Sequence, residues 1–115
     1  MEDSMIDRAA ARVVPRDPIT VGVEAGDRLV AFGVVANISK LGACVLTDFD
    51  FRSEAPLSFC LSFPREAQPL SAPGRVVWLR GEGSADVRCG LEFVGLPERD
   101  EVRLRGLIGR AELGH

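Results

Sequence analysis

From Ile19 onward, apolar and polar residues alternate along most of the chain. Ile19, Val21 and Val23 interleave with Thr20, Gly22 and Glu24, the period-two pattern of a half-buried strand. Ala25-Gly26-Asp27 is a turn signal. Leu29 to Ile38 is a long run rich in β-branched residues, broken by Gly33, where a bulge or sharp bend is expected. Lys40-Leu41-Gly42 closes that run, and Ala43 to Leu46 continue as a short strand. Asp48 to Ala55 read as a polar loop carrying Phe49 and Phe51. Leu57, Phe59, Leu61 and Phe63 alternate with Ser58, Cys60 and Ser62, and Pro64 ends the strand. Residues 65–70 read as a loop, and Arg75 to Leu79 as a strand carrying the single tryptophan, Trp78. Gly81-Glu82-Gly83-Ser84 is a hairpin-like connection into Val87, Cys89, Leu91 and Phe93, which alternate with Asp86, Arg88, Gly90 and Glu92. About six short strands at regular spacing predict an all-β domain, an antiparallel barrel or a sandwich. Closing the sheet would remove the exposed edges of such short strands.

The two ends break the alternation. Residues 1–11 are polar and then alanine-rich, with too few apolar anchors to hold a helix alone. Pro15 and Pro18 enforce an extended path over 12–18, because each proline also keeps its predecessor out of the α region. The predicted organisation is a flexible N-terminal arm over 1–18 and a barrel with its C-terminal helix over 19–115. After Gly95-Leu96-Pro97 the period becomes helical. Leu104, Leu107, Ile108 and Ala111 fall on one face, and Glu98, Asp100 and Glu101 complement the positive end of the helix dipole. Gly106 weakens this segment, so a short helix packed over the barrel is expected.

Composition narrows the functions. A chain of 115 residues suits one domain. Its net charge of −3 argues against DNA or RNA as partner, since a general nucleic-acid binder needs a basic surface. No apolar run reaches a membrane span, so no membrane insertion is expected. The acidic start, Met1-Glu2-Asp3-Ser4, has no apolar signal region, and a cytoplasmic location is expected. Cys44, Cys60 and Cys89 lie singly within apolar or alternating runs, and the one histidine is the last residue, His115. Reduced thiols, no zinc site, no cofactor and no enzyme activity are therefore expected, since no nucleophile–base pair can be named. Asp48 and Asp50 read as solvated loop charge, and Arg99, Arg103, Arg105 and Arg110 as a solvated helix face.

Two short stretches remain that carry chemistry. Arg12-Val13-Val14-Pro15-Arg16 sets two guanidinium groups four residues apart on an extended arm. Guanidinium is planar, always charged and five-donor; it matches phosphate or the O6/N7 edge of guanine bidentately and stacks on bases. Asn37-Ile38-Ser39-Lys40-Leu41-Gly42 is a polar turn between two apolar runs. Asn37 offers donor and acceptor, Ser39 a hydroxyl, and Gly42 permits positive φ or close backbone approach. The two stretches are expected to face one another around an anionic, guanine-bearing ligand.

With these motifs in place, the chain resembles the PilZ family of bacterial cyclic di-GMP receptors. Arg12 to Arg16 is similar to the family's RxxxR arm, and Asn37 to Gly42 to its [D/N]xSxxG turn. Arg75-Val76-Val77-Trp78 and Gly90-Leu91-Glu92-Phe93 look like its late strands. The resemblance implies a six-stranded antiparallel β-barrel with a short C-terminal α-helix, and a ligand wrapped by the arm against the barrel face. Arg12 and Arg16 would clamp phosphate and guanine, with Asn37, Ser39 and Gly42 opposite. Arg8-Ala9-Ala10-Ala11-Arg12 also satisfies RxxxR. The Arg12/Arg16 register is preferred, because the first strand begins soon after Arg16 as in the family, and Arg8 is then a peripheral contact. Ala11 stands where the family often has a further arginine. The implied role is a stand-alone receptor for cyclic di-GMP, monomeric or homodimeric, that signals to an unidentified protein effector in motility, pilus or exopolysaccharide machinery. The alternative is a nucleotide-independent adaptor acting through protein–protein contacts.

Overall fold

The computed structural model describes residues 12–47, 57–81 and 87–113. Six strands precede one helix among the described residues: β1 Thr20–Ala25, β2 Arg28–Ser39, β3 Gly42–Thr47, β4 Leu57–Ser62, β5 Leu70–Arg80, β6 Val87–Phe93 and α1 Glu98–Leu113. The strands close into an antiparallel barrel in the order β1-β2-β3-β6-β5-β4. Closure decides between the barrel and the sandwich. Alternation does what the sequence pattern predicts: Val21, Val23, Val45, Phe59, Leu61 and Leu91 all point inward and are buried. The predicted loop over 48–55 and most of the connection over 81–84 lie outside the described residues.

Two strands are long because each serves two partners. The first half of β2 pairs with β1 and its second half with β3. Likewise β5 pairs with β4 over Leu70–Gly74 and with β6 from Gly74 onward. β5 therefore begins at Leu70, five residues before the predicted start at Arg75 and within the stretch 65–70 read as loop. Pro73 falls inside it, where it masked the alternation of Leu70 and Ala72 with Ser71. Gly74 is the corner: a Cβ there would meet the Glu92 carbonyl oxygen at 2.1 Å and Phe59 at 2.8 Å.

Of the bulge or bend expected at Gly33, the bulge is not there; Gly33 pairs in register with both Val21 and Thr47. Register slips in β2 occur instead at Val30, between the pairs Val23↔Ala31 and Glu24↔Leu29, and at Ala36, between Val35↔Val45 and Asn37↔Cys44. Gly33 serves close approach: a Cβ would meet Val45 Cγ1 at 2.5 Å and the Leu46 carbonyl oxygen at 2.7 Å.

The helix is longer than expected, at 16 residues. Glu101 N–H donates to the Pro97 carbonyl at 2.9 Å, which starts the first turn. Leu104, Leu107, Ile108 and Ala111 are buried against the barrel end, near Val13, Ile19 and Phe63 in one core. Burying each large side chain contributes roughly 1.5–3 kcal/mol, which outweighs the ~1 kcal/mol that a helical glycine costs. Two of the four helix arginines are not merely solvated. Arg103 donates to the backbone carbonyls of Gln68 and Pro69, and Arg110 pairs with Glu66 at 3.1 Å. Together they tie α1 to the β4–β5 loop.

Candidate functional site

The arm runs antiparallel beside the end of β2. Val13 N–H donates to the Ile38 carbonyl at 2.8 Å, and Ile38 N–H returns a bond to Val13 at 2.9 Å. Val13 is buried, so this bridge is anchored by apolar packing as well as by backbone bonds. Its consequence is local. Arg12, half-buried, is held beside Asn37 and donates from Nη1 to Asn37 Oδ1 at 2.6 Å. The two motifs read from the sequence thus meet side chain to side chain. Further along the arm, Arg16 N–H donates to the Ala111 carbonyl at 3.2 Å. That acceptor belongs to the last turn of α1, where carbonyls lack helical partners. Asp17 pairs with Arg65 at 3.0 Å. Residues 12–17 are in this way tied to β2, to the helix end and to the β4–β5 loop.

Asn37, Ser39 and Gly42 divide the work of the turn. The slip at Ala36 sets Asn37 opposite Cys44, half-buried beside the arm. Ser39 is 1% exposed, and its Oγ accepts from Leu41 N–H at 3.1 Å, which fixes the two-residue turn Lys40-Leu41. Leu41 in turn accepts from Phe93 N–H at 2.9 Å. Gly42 serves close approach and not positive φ: a Cβ would lie 2.1 Å from the Leu91 carbonyl oxygen of β6. Asn37 presents a functional group, while Ser39 and Gly42 hold the turn that presents it. Arg16 has an exposed side chain that bonds no described residue, and no contact links it to Asn37. Arg8 and Ala11 lie outside the described residues; Arg12 is common to both readings of RxxxR.

The barrel extends the site sideways. Asn37 pairs with Cys44, Cys44 with Gly90 and Gly90 with Trp78, a continuous row across β2, β3, β6 and β5. The Trp78 indole lies flat on Gly90; a Cβ at Gly90 would meet ring atoms at 2.2 to 2.7 Å. Arg80 stacks over that ring at 5.1 Å. The sequence signal for this arrangement was the lone tryptophan opposite a glycine, and it needed the register to be read. Behind the row, Cys89 faces the core. Burial first, and the neighbouring Cys44 second, push its thiol up to about 11, so it stays neutral near pH 7. Among the described residues no group of histidine, cysteine or carboxylate side chains could hold a metal ion. What the site does offer is guanidinium and carboxamide, groups suited to phosphate and to the edge of a planar base.

The family model of the PilZ domain matches residues 6–110. Among solved structures, the PilZ domain with c-di-GMP of YcgR from Escherichia coli aligns with a TM-score of 0.68 at 11% identity, covering 91% of each chain. The inhibitor of motility MotI/DgrA of Bacillus subtilis aligns with a TM-score of 0.66 at 18% identity, covering 91% of this chain and 50% of that one. The chain thus spans half the length of the Bacillus subtilis protein. At these identities the likeness is one of fold. A comparison with curated proteins finds no match.

Proposed function

The chain belongs to the PilZ domain family, and from that premise we propose that it is a receptor for cyclic di-GMP that passes the signal to a protein partner. The observation that carries the reading is the junction of the two motifs: the Val13–Ile38 bridge and the 2.6 Å bond from Arg12 to Asn37. The junction sets a guanidinium and a carboxamide side by side, groups suited to phosphate and to a base edge. The solved Escherichia coli domain of the same fold is one that holds c-di-GMP.

In this reading Arg12 and the exposed Arg16 take the ligand's phosphates and a guanine edge, with Arg8 at the periphery. Asn37 keeps its amide N–H donors for the ligand while its oxygen holds Arg12. Ser39 and Gly42 contribute by fixing the turn. The ligand adds to the existing junction of arm and barrel, and the tie from Arg16 to the helix end carries that change toward α1. The protein acts as a receptor, not an enzyme, and works in the cytoplasm. Its output runs through a motility, pilus or exopolysaccharide component.

Thermal denaturation tests this. At a hundred times its dissociation constant a ligand adds about 2.7 kcal/mol, which for a domain of this size is a rise of roughly 10 °C in Tm. Cyclic di-GMP should produce that rise and GMP at equal concentration should not. A folded sample with no shift would favour the nucleotide-independent adaptor.

A further inference from the structure

Lys40 is the single lysine of the chain, and it stands in the turn of the candidate site. The turn Lys40-Leu41 joins β2 to β3 and is fixed by the bond from Leu41 N–H to Ser39 Oγ at 3.1 Å. Neither turn residue has a positive φ, so the backbone here accepts most residue types and does not itself call for lysine. Lys40 is half-buried and makes no hydrogen bond or ion pair among the described residues. The carboxylate that strand pairing brings toward this turn, Glu92 opposite Gly42, is taken by Arg75 at 2.8 Å. A fixed turn thus holds an ammonium that no described group neutralises.

The antiparallel bridge between Val13 and Ile38 sets this ammonium beside the arm. One step outward along both segments brings Arg12 across from Ser39, and Lys40 follows Ser39 directly. Antiparallel neighbours lie about 5 Å apart, and the ammonium rides on a flexible four-carbon stem. Lys40 Nζ can therefore reach a group held by Arg12. Arg12 gives Nη1 to Asn37, which leaves part of its guanidinium fork for an anion. An anion received there meets a second cation from the side of the turn.

We propose that Lys40 is a further phosphate-binding residue of this site, closing on the cyclic dinucleotide phosphate that Arg12 receives. The proposal rests on the receptor reading above and adds a residue to it. The two cations differ in what they supply. The guanidinium is a planar fork that fixes direction, whereas the ammonium is a compact point charge with three rotatable donors. Lys40 contributes charge and not recognition of a base.

Isothermal titration calorimetry of the full chain with cyclic di-GMP, at about 0.05 M and 0.5 M salt, tests this with wild type, Lys40→Ala, Lys40→Arg and Arg12→Ala. Lys40→Ala should bind roughly three- to tenfold more weakly than the wild type at low salt. The gap should narrow at high salt, where screening removes the Coulombic attraction. Lys40→Arg keeps the charge and should bind like the wild type at both. Thermal scans without ligand should place Lys40→Ala beside the wild type; if it melts lower, Lys40→Gln, which keeps most of the stem, takes its place. Wild-type binding that Arg12→Ala weakens and Lys40→Ala does not would overturn the proposal alone and leave the receptor reading standing. A loss equal at both salts, or one that Lys40→Arg shares, overturns it too, since either marks a structural role. A folded wild type that does not bind overturns both.

Discussion

At the scale of single residues, the motif positions have unequal duties. Arg12 and Asn37 hold each other, whereas Ser39 is consumed by its own turn and Gly42 by the approach of β6. Gly42→Ala forces a Cβ against a backbone oxygen, which a side-chain rotation cannot relieve. Overpacking typically costs 1–3 kcal/mol, and this case belongs at about the upper end. Urea unfolding should show that loss without any ligand; an unchanged midpoint would mean that the turn relaxes freely. Cys89 gives a second prediction. Its folded pKa is raised from 9.0 to about 11, so between those values the unfolded chain ionises while the folded chain keeps its proton. Stability present below pH 9 should therefore fall as pH rises toward 11. Thermal scans across that window should show the decline, and Cys89→Ser should flatten it. Residue chemistry could be read from the chain, but the split between presenting and supporting roles could not. It depends on Gly42 and Ser39 lying against Leu91 and Leu41, and only register reveals that.

At the scale of elements, alternation was informative wherever one strand met one environment. β1, β4 and β6 follow it closely, because their inward positions alternate without interruption. The long strands were harder. β2 and β5 each change partner midway, and their registers slip at Val30, Ala36 and Val77, positions that depend on partners distant in sequence. The helix was underestimated because Gly106 was weighed as propensity alone, whereas the buried face of Leu104, Leu107 and Ile108 decides. Gly106 has an exposed position, no neighbour within 4 Å of a Cβ and no positive φ. Gly106→Ala should thus stabilise the fold by roughly 0.5–1 kcal/mol, measurable as a higher urea midpoint with an unchanged slope. A lower midpoint would show that the glycine has a contact role there.

At the scale of the whole molecule, the barrel brings together segments distant in sequence: an arm at 12–17, a turn at 37–42 and a tryptophan at 78. The arm also reaches the end of α1 and the β4–β5 loop, so Arg12 stands four residues from the backbone bond that joins Arg16 to Ala111. Both motifs could be recognised in the sequence because they are short and local. That Arg12, and not Arg16, meets Asn37 follows from the antiparallel bridge at Val13, which no spacing rule supplies. The account stands or falls on whether the meeting of arm and turn makes a nucleotide site. Isothermal titration calorimetry of the purified chain with cyclic di-GMP, beside Arg12→Ala and Arg16→Ala, asks this directly. The account predicts saturable binding by the wild type, weakened at least tenfold in each variant, since a charge-assisted hydrogen bond contributes about 1.5–3 kcal/mol. Absence of heat from the folded wild type at two temperatures, or equal affinity in all three proteins, would contradict it.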